Sequence, residues 1–334
     1  MQQKNTLKKS LELKALNSIH IFTAPMPHPL PLKTLVICGT TASGKSSLAI
    51  AVAQKYNGEI ISADSRQIYR GMDIGTGKVT SEEQTLIPHH LIDICEPHES
   101  YNVTDFKRDA EALIHDIQEK GKLPIICGGT GFWIQALVQN QLFPSVPPNQ
   151  KLRARLATVS QKELFAQLQA LDPQRAKTID ANNPIRLIRA IEIATAIGSV
   201  PPILPHKTHG DFVLIALDPP KEELNAKIQK RLAERFHQGM IEEVSRLHSQ
   251  GLSWEQLEAF GLEYRWISLF LQEKIDEQTM QQKLSFDIIH YAKRQRTWLR
   301  RWEKQGADIH WIHTLNPENI HNLLDDISLL LKKK

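Results

Sequence analysis

Apolar residues fall into two patterns along this chain. Leu35-Val36-Ile37-Cys38 and residues 123–127 are short continuous apolar runs ended by glycine-rich turns. Each reads as a strand buried on both faces of a parallel sheet. Residues 59–62 read as another strand ending near Asp64, and residues 212–217 as one ending at Asp218. Between the strands, apolar positions recur at helical spacing. Leu48, Val52 and Tyr56 share a face of a helix expected over 45–56 and stopped by Asn57-Gly58. A second helix is expected over 104–120, closed by Gly121. Strand, helix and strand in this rhythm predict an α/β fold with a parallel sheet.

The pattern changes at residues 143–149, where Phe-Pro-Ser-Val-Pro-Pro-Asn reads as a linker. Residues 151–197 carry only helical periodicity, and Pro201, Pro202 and Pro205 close that segment. The expected organisation is an α/β core over 33–143 and 206–313, interrupted by an all-helical insertion over 144–205. The core is helical to about Trp302, with a short strand near 310–313 and a tail over 314–334. Residues 1–32 mix Lys8, Lys9 and Lys14 with leucines and then four prolines, so a disordered leader is expected rather than a secretory signal. No run approaches the roughly 18 apolar residues of a membrane span.

Composition adds little to this picture. The 334 residues suit about two domains, and 41% hydrophobic with 23% charged residues is ordinary for a globular protein. Three cysteines in no metal-type pairing fit a reducing, cytoplasmic setting. A net charge of +4 leans mildly toward a polyanionic partner. Nothing signals an oligomer, so a monomer is the default.

The chemistry begins after the first strand. Gly39-Thr40-Thr41-Ala42-Ser43-Gly44-Lys45-Ser46 matches G-x-x-x-x-G-K-[ST] in full, between a strand and a helix. Its amides and the helix N-terminus attract phosphate. Lys45 suits terminal phosphate oxygens, and the Ser46 hydroxyl suits Mg²⁺. This loop would serve an ATPase, a nucleotide kinase or an enzyme expelling diphosphate. Asp64 falls just past a strand's carboxyl end, where α/β sheets place their chemistry. Asp93 and Asp218 hold comparable positions, and spacing leaves metal ligand and general base both open for Asp64.

Further blocks narrow the choice. Ile61-Ser62-Ala63-Asp64-Ser65-Arg66-Gln67-Ile68-Tyr69 precedes Gly71-Met72-Asp73-Ile74-Gly75-Thr76-Gly77-Lys78. Pro88-His89-His90-Leu91-Ile92-Asp93, Gly128-Gly129-Thr130-Gly131 and Tyr291-Ala292-Lys293-Arg294-Gln295-Arg296-Thr297-Trp298 follow. Together with the glycine-rich loop, these resemble the bacterial tRNA dimethylallyltransferases over about residues 32–312. The resemblance implies a P-loop NTPase-like parallel sheet flanked by helices. It also implies transfer of a dimethylallyl group from dimethylallyl diphosphate to the exocyclic amine of the adenosine 3′ of the anticodon in tRNA. Gly39, Thr41, Ala42, Ser43, Gly44, Lys45, Ser46 and Arg231 would then hold the donor diphosphate. Asp64 would be the base, with Thr130 and Lys45 beside the reacting atoms. Asp64, Ser65, Arg66, Gln67 and Thr130 would meet the tRNA. So would Arg153 and Ile185, together with Arg186, Leu187, Ile188 and Arg189, a block that resembles the family's R-[IVL]-x-R-A.

Without the resemblance, the arginines of the insertion would be read as a solvated helix face. On the C-terminal helix, Tyr291, Gln295, Trp298 and Trp302 share one face, which reads as core packing. Lys293, Arg296, Arg300 and Lys304 share another, which would suit a phosphate backbone. Thr40, Ala181, Arg235 and the stretch Glu258-Ala259-Phe260-Gly261-Leu262-Glu263 depart from the family's pattern. An adenylate prenyltransferase acting on free AMP or ATP, and a nucleotide kinase or NTPase, are the rival readings.

Overall fold

The computed structural model describes residues 33–202, 212–315 and 320–332. The leader over 1–32 and Pro205 lie outside them. Six parallel strands form one sheet in the order β3-β2-β4-β1-β5-β6. They are β1 (Thr34–Gly39), β2 (Gly58–Ser62), β3 (His89–His90), β4 (Leu123–Gly128), β5 (Phe212–Leu217) and β6 (Ile309–Ile312). The continuous apolar runs occupy the centre, where both faces need cover. Along β1, Leu35 and Ile37 enter one core and Val36 and Cys38 the other.

Each face has its own helical layer. Helix α1 (Lys45–Tyr56) covers the Leu35 face. The short α2 (Ser81–Leu86) is set by a capping box between Thr80 and Glu83. The Val36 face is covered by α3 (Val103–Glu119) and α4 (Gly131–Val138), and later by a run of helices following β5. These are α9 (Lys221–His237), α10 (Met240–Ser249), α11 (Trp254–Phe260), α12 (Leu262–Leu271) and α13 (Glu277–Lys304). Trp302 and Tyr264 are among the largest fully buried side chains of this layer. No helix among the described residues is long and apolar enough to cross a membrane.

A separate compact unit spans Gln139–Lys207, beginning where α4 ends. Its helices are α5 (Gln150–Ala157), α6 (Gln161–Leu171), α7 (Pro173–Ala176) and α8 (Pro184–Ile197). Leu156, Leu164, Leu168, Leu187 and Ile191 form its core. Asp172 ties it together by capping α7 through the Arg175 N–H at 2.9 Å and accepting the Val200 N–H at 2.7 Å.

Residues 314–334, expected as a tail, instead carry α14 (Ile320–Lys332). Its Ile320, Leu324, Ile327 and Leu331 recur at helical spacing and join the core on the α1 face. The Tyr56 hydroxyl donates to Leu324 O at 2.6 Å, and Lys55 pairs with Asp325. Ile327→Ala should therefore destabilise the protein by about 2–5 kcal/mol, the usual cost of such a core truncation. A urea midpoint unchanged from the parent would show that the helix adds nothing to the core.

Candidate active site

The glycine-rich loop turns tightly from β1 into α1. Gly44 sits at the helix N-cap with φ 94°, and no side chain caps the first amides there. An L-residue would be strained at that angle, and uncapped amides at a helix start form an anion site. Lys45 Nζ donates to Thr40 O at 2.6 Å, keeping the ammonium over the loop. Burial pushes the Lys45 pKa down and Arg231 adds to this, while Cys127 and Asp64 oppose it. Arg231 reaches across from α9 and donates to the Thr41 hydroxyl. Burial, with Arg235 adding, lowers its pKa to about 10, so it stays charged near neutrality.

A cleft opens beside this loop. Thr41, Lys45, Ser46 and Arg231 line its cationic end, and Asp64 and Gln67 line another wall. Ala49, Ile60, Val79 and Ile92 give it an apolar portion. Asp64 Oδ1 accepts the Arg66 N–H at 2.9 Å, which fixes the carboxylate against its own turn. Thr130 Oγ1 accepts the adjacent Ser65 N–H at 3.0 Å, and the Thr130 N–H donates to Ala63 O at 3.2 Å. Thr130 thus braces the Asp64 turn from the end of β4. The Arg66 guanidinium lies 5.3 Å from the Phe260 ring centroid.

The two rival carboxylates are engaged elsewhere. Asp93 accepts from Lys78 Nζ at 2.5 Å. Asp218, buried at the end of β5, pairs with Arg296 and Arg300. This also corrects the reading of α13 as a free basic face. Lys293 and Lys304 are exposed, but Arg296 and Arg300 turn back onto Asp218, and Arg300 stacks on Trp311. The carboxylate opposite them could not be read from a helical wheel.

The block from Gly71 to Lys78 supports the cleft. Glu243 of α10 accepts the consecutive N–H groups of Asp73, Ile74 and Gly75 at 2.9, 2.7 and 3.0 Å. The Tyr264 hydroxyl donates to the same carboxylate at 2.9 Å. Arg235 donates to Gly75 O and Glu263, both at 3.1 Å. The turn in turn holds the site, because Gly77 O accepts from Gln67 Nε2 at 3.2 Å. Sequence reading passed over Glu243, and it noted Arg235 and Glu263 only as departures from pattern.

In the helical unit, Glu192 is almost fully buried and gathers Arg153 and Arg189. Arg153 makes a two-pronged contact at 3.0 and 2.8 Å. Burial opposes ionisation of Glu192, but the Arg153 bond, the Asn149 N–H and Arg189 outweigh it and hold the pKa at about 2. Arg186 and Ile185 project from the start of α8, with Ile185 78% exposed, and Ile188 is half-buried. Leu187 is the correction in this block. Its side chain is fully buried in the unit's core, so it shapes α8 and offers RNA no side-chain contact.

Comparison with known proteins agrees on one family. A family model described as IPP transferase matches residues 67–302. The chain is similar to "tRNA dimethylallyltransferase 2" of Syntrophotalea carbinolica, at 43% identity over 83% of this chain and 93% of that protein. Among solved structures, the tRNA isopentenylpyrophosphate transferase of Bacillus halodurans superposes with TM-score 0.68 and 32% identity, covering 90% of this chain and 97% of that one. A eukaryotic dimethylallyltransferase acting on tRNA gives TM-score 0.72 at 25% identity, covering 88% of this chain and 77% of that one.

The Glu192 cluster predicts a pH signature. A carboxyl lowered from its ordinary 4.5 to about 2 contributes stability above pH 4.5 that is lost as pH falls toward 2. Far-UV circular dichroism suits the measurement, since none of the six tryptophans lies in this unit. Between pH 5 and 2 the parent should lose more stability than Glu192→Gln. Parallel decline of the two would remove Glu192 as the source.

Proposed function

The chain belongs to the IPP transferase family, and from that premise we propose that it moves a dimethylallyl group from dimethylallyl diphosphate to the exocyclic amine of the adenosine 3′ of the anticodon in tRNA. One observation carries the reading: Lys45, Ser46, Arg231 and the carboxylate of Asp64 line a single cleft.

The chemistry requires both ends of that cleft. An adenine amine is a weak nucleophile because its lone pair is delocalised into the ring. It forms the new C–N bond to the allylic carbon as the C–O bond to diphosphate breaks. Its proton passes to Asp64, which acts as general base. The departing diphosphate gains negative charge, which Lys45, Arg231 and the amides at the start of α1 stabilise. Val79 and Ile92 give the cleft apolar surface that suits an isoprenoid. Gln67, a donor and acceptor held by Gly77 O, suits a base edge.

Mg²⁺ fits the donor set. Ser46 offers a hydroxyl oxygen in the same cleft as Lys45, and Mg²⁺ typically takes few protein ligands beside phosphate oxygens. When bound, Mg²⁺ would supply neutralising charge to the diphosphate. The anticodon loop must present its adenosine unstacked to reach Asp64. Arg186 and the exposed Ile185 offer the helical unit's contact with that RNA, with salt-sensitive affinity. The cleft is lined within one chain, so a monomer suffices for the donor site. Three buried, unpaired cysteines suit a cytoplasmic enzyme.

The test combines purified protein, unmodified tRNA with anticodon-loop adenines, dimethylallyl diphosphate and Mg²⁺, followed by nucleoside mass spectrometry. An adenosine heavier by one five-carbon unit is expected. Asp64→Asn should lower turnover by about 10²–10⁴-fold, the range of general-base catalysis, with tRNA affinity retained. Near-normal turnover would remove Asp64 from the base role. Prenylated AMP with no tRNA product would instead assign a free adenylate as acceptor.

A further inference from the structure

Helix α13 crosses the carboxyl ends of three neighbouring strands and sends a polar side chain to the loop leaving each. Arg296 reaches Asp218 and Pro219 O beyond β5. Gln295 serves the other two. Its Oε1 accepts the Thr41 N–H beyond β1 at 2.8 Å, and its Nε2 donates to Gly129 O beyond β4 at 2.9 Å. Gln295 is 8% exposed. A Cβ on Gly129 would lie 2.3 Å from Nε2, so a larger residue there would displace the amide from this position.

The two loops joined in this way carry opposite halves of the proposed reaction. Thr41 lines the cationic end of the cleft and accepts from Arg231. Gly129 precedes Thr130, whose hydroxyl braces the Asp64 turn through Ser65. Gln295 interrupts an otherwise apolar stripe on α13 formed by Ile288, Ala292, Leu299 and Trp302. A buried amide is costly unless both its ends are bonded. Here both ends are spent on the backbone of those two loops.

We propose that Gln295 is a positioning residue for the transfer, a clamp that fixes the spacing between the diphosphate-holding loop and the Asp64–Thr130 turn. The proposal rests on the reading of the cleft given above. A shift of about 1 Å between reacting groups is enough to cost on the order of 100-fold in rate.

Two substitutions separate the clamp from simple packing. Gln295→Met keeps the length and removes both bonds. Gln295→Glu keeps an acceptor for the Thr41 N–H and, as the carboxylate, loses the donor to Gly129 O. Three quantities are measured for the full chain: binding of inorganic pyrophosphate with Mg²⁺, binding of tRNA, and kcat for prenyl transfer. For Gln295→Met, pyrophosphate affinity should fall about tenfold, the worth of about one hydrogen bond. Its kcat should fall at least as much, with tRNA affinity unchanged. Gln295→Glu should lose kcat as well, and it carries the test if the methionine variant does not fold.

A lower melting temperature with parental pyrophosphate affinity and kcat in both variants would reduce Gln295 to a packing residue and overturn the proposal. If the parent protein makes no prenylated product yet pyrophosphate binding weakens in Gln295→Met, the clamp stands and the transfer reading falls.

Discussion

A loop can be buried only if its backbone N–H and C=O groups find partners. That constraint governs the site. The cleft is built at the carboxyl ends of β1, β2, β3 and β4, with Arg231 of α9 beside them, and helices of the Val36 face close over several of the loops there. Those helices must therefore be polar where they meet loops and apolar where they meet the sheet. Glu243 answers three amides of the Asp73 turn, and Arg235 answers Gly75 O. Gln295 answers Thr41 and Gly129, and Arg296 answers Pro219 O. Each is a polar residue set in an amphipathic helix at a point where an apolar one would strand a backbone group.

The same constraint explains why the partners are so fully engaged. Glu243 is 2% exposed, yet its two oxygens receive three amides and the Tyr264 hydroxyl. Burial first, then the Glu243 carboxylate, raises the Tyr264 pKa well above its ordinary value, so the phenol remains a donor. Three consecutive amides converging on one anion resemble a phosphate-binding nest, but here the anion belongs to the chain. The Gly71 to Lys78 block therefore acts as a rigid shelf for Gln67, while the uncapped amides at the start of α1 face the cleft.

What the sequence disclosed follows the range of the interactions involved. The strand, glycine-rich loop and α1 are local, and their pattern is readable without a structure. Asp64 is readable as a strand-end carboxylate and the family resemblance singles it out, but spacing alone does not distinguish it from Asp93 and Asp218. That distinction depends on Lys78, 15 residues from Asp93, and on Arg296 and Arg300, 78 and 82 residues from Asp218. Periodicity assigns Arg296 and Arg300 a face without saying what lies opposite. The same limit hid Gln295, whose helical spacing matches that of its apolar neighbours and whose partners lie 254 and 166 residues away. Two misreadings were avoidable. Leu187 keeps the apolar spacing of α8, and Ile320, Leu324, Ile327 and Leu331 keep that of a core-facing helix.

Arg235 and Glu263 depart from the family pattern separately along the sequence and meet in the structure. Either charge buried alone would cost several kcal/mol, and each is unusual at its position when judged separately. In the structure they face each other at 3.1 Å, both buried, with the guanidinium also on Gly75 O. Burial raises the Glu263 pKa, and Arg235 opposes that rise. Arg235 lies one turn along α9 from Arg231, and its charge, second to burial, already lowers the Arg231 pKa. Without Glu263, that neighbouring charge would be uncompensated beside the guanidinium that faces the cleft. With it, the added pair sums to zero near the cationic end. The two residues therefore act as one unit, anchoring the Gly75 turn while leaving the net positive charge at this end of the cleft to Lys45 and Arg231.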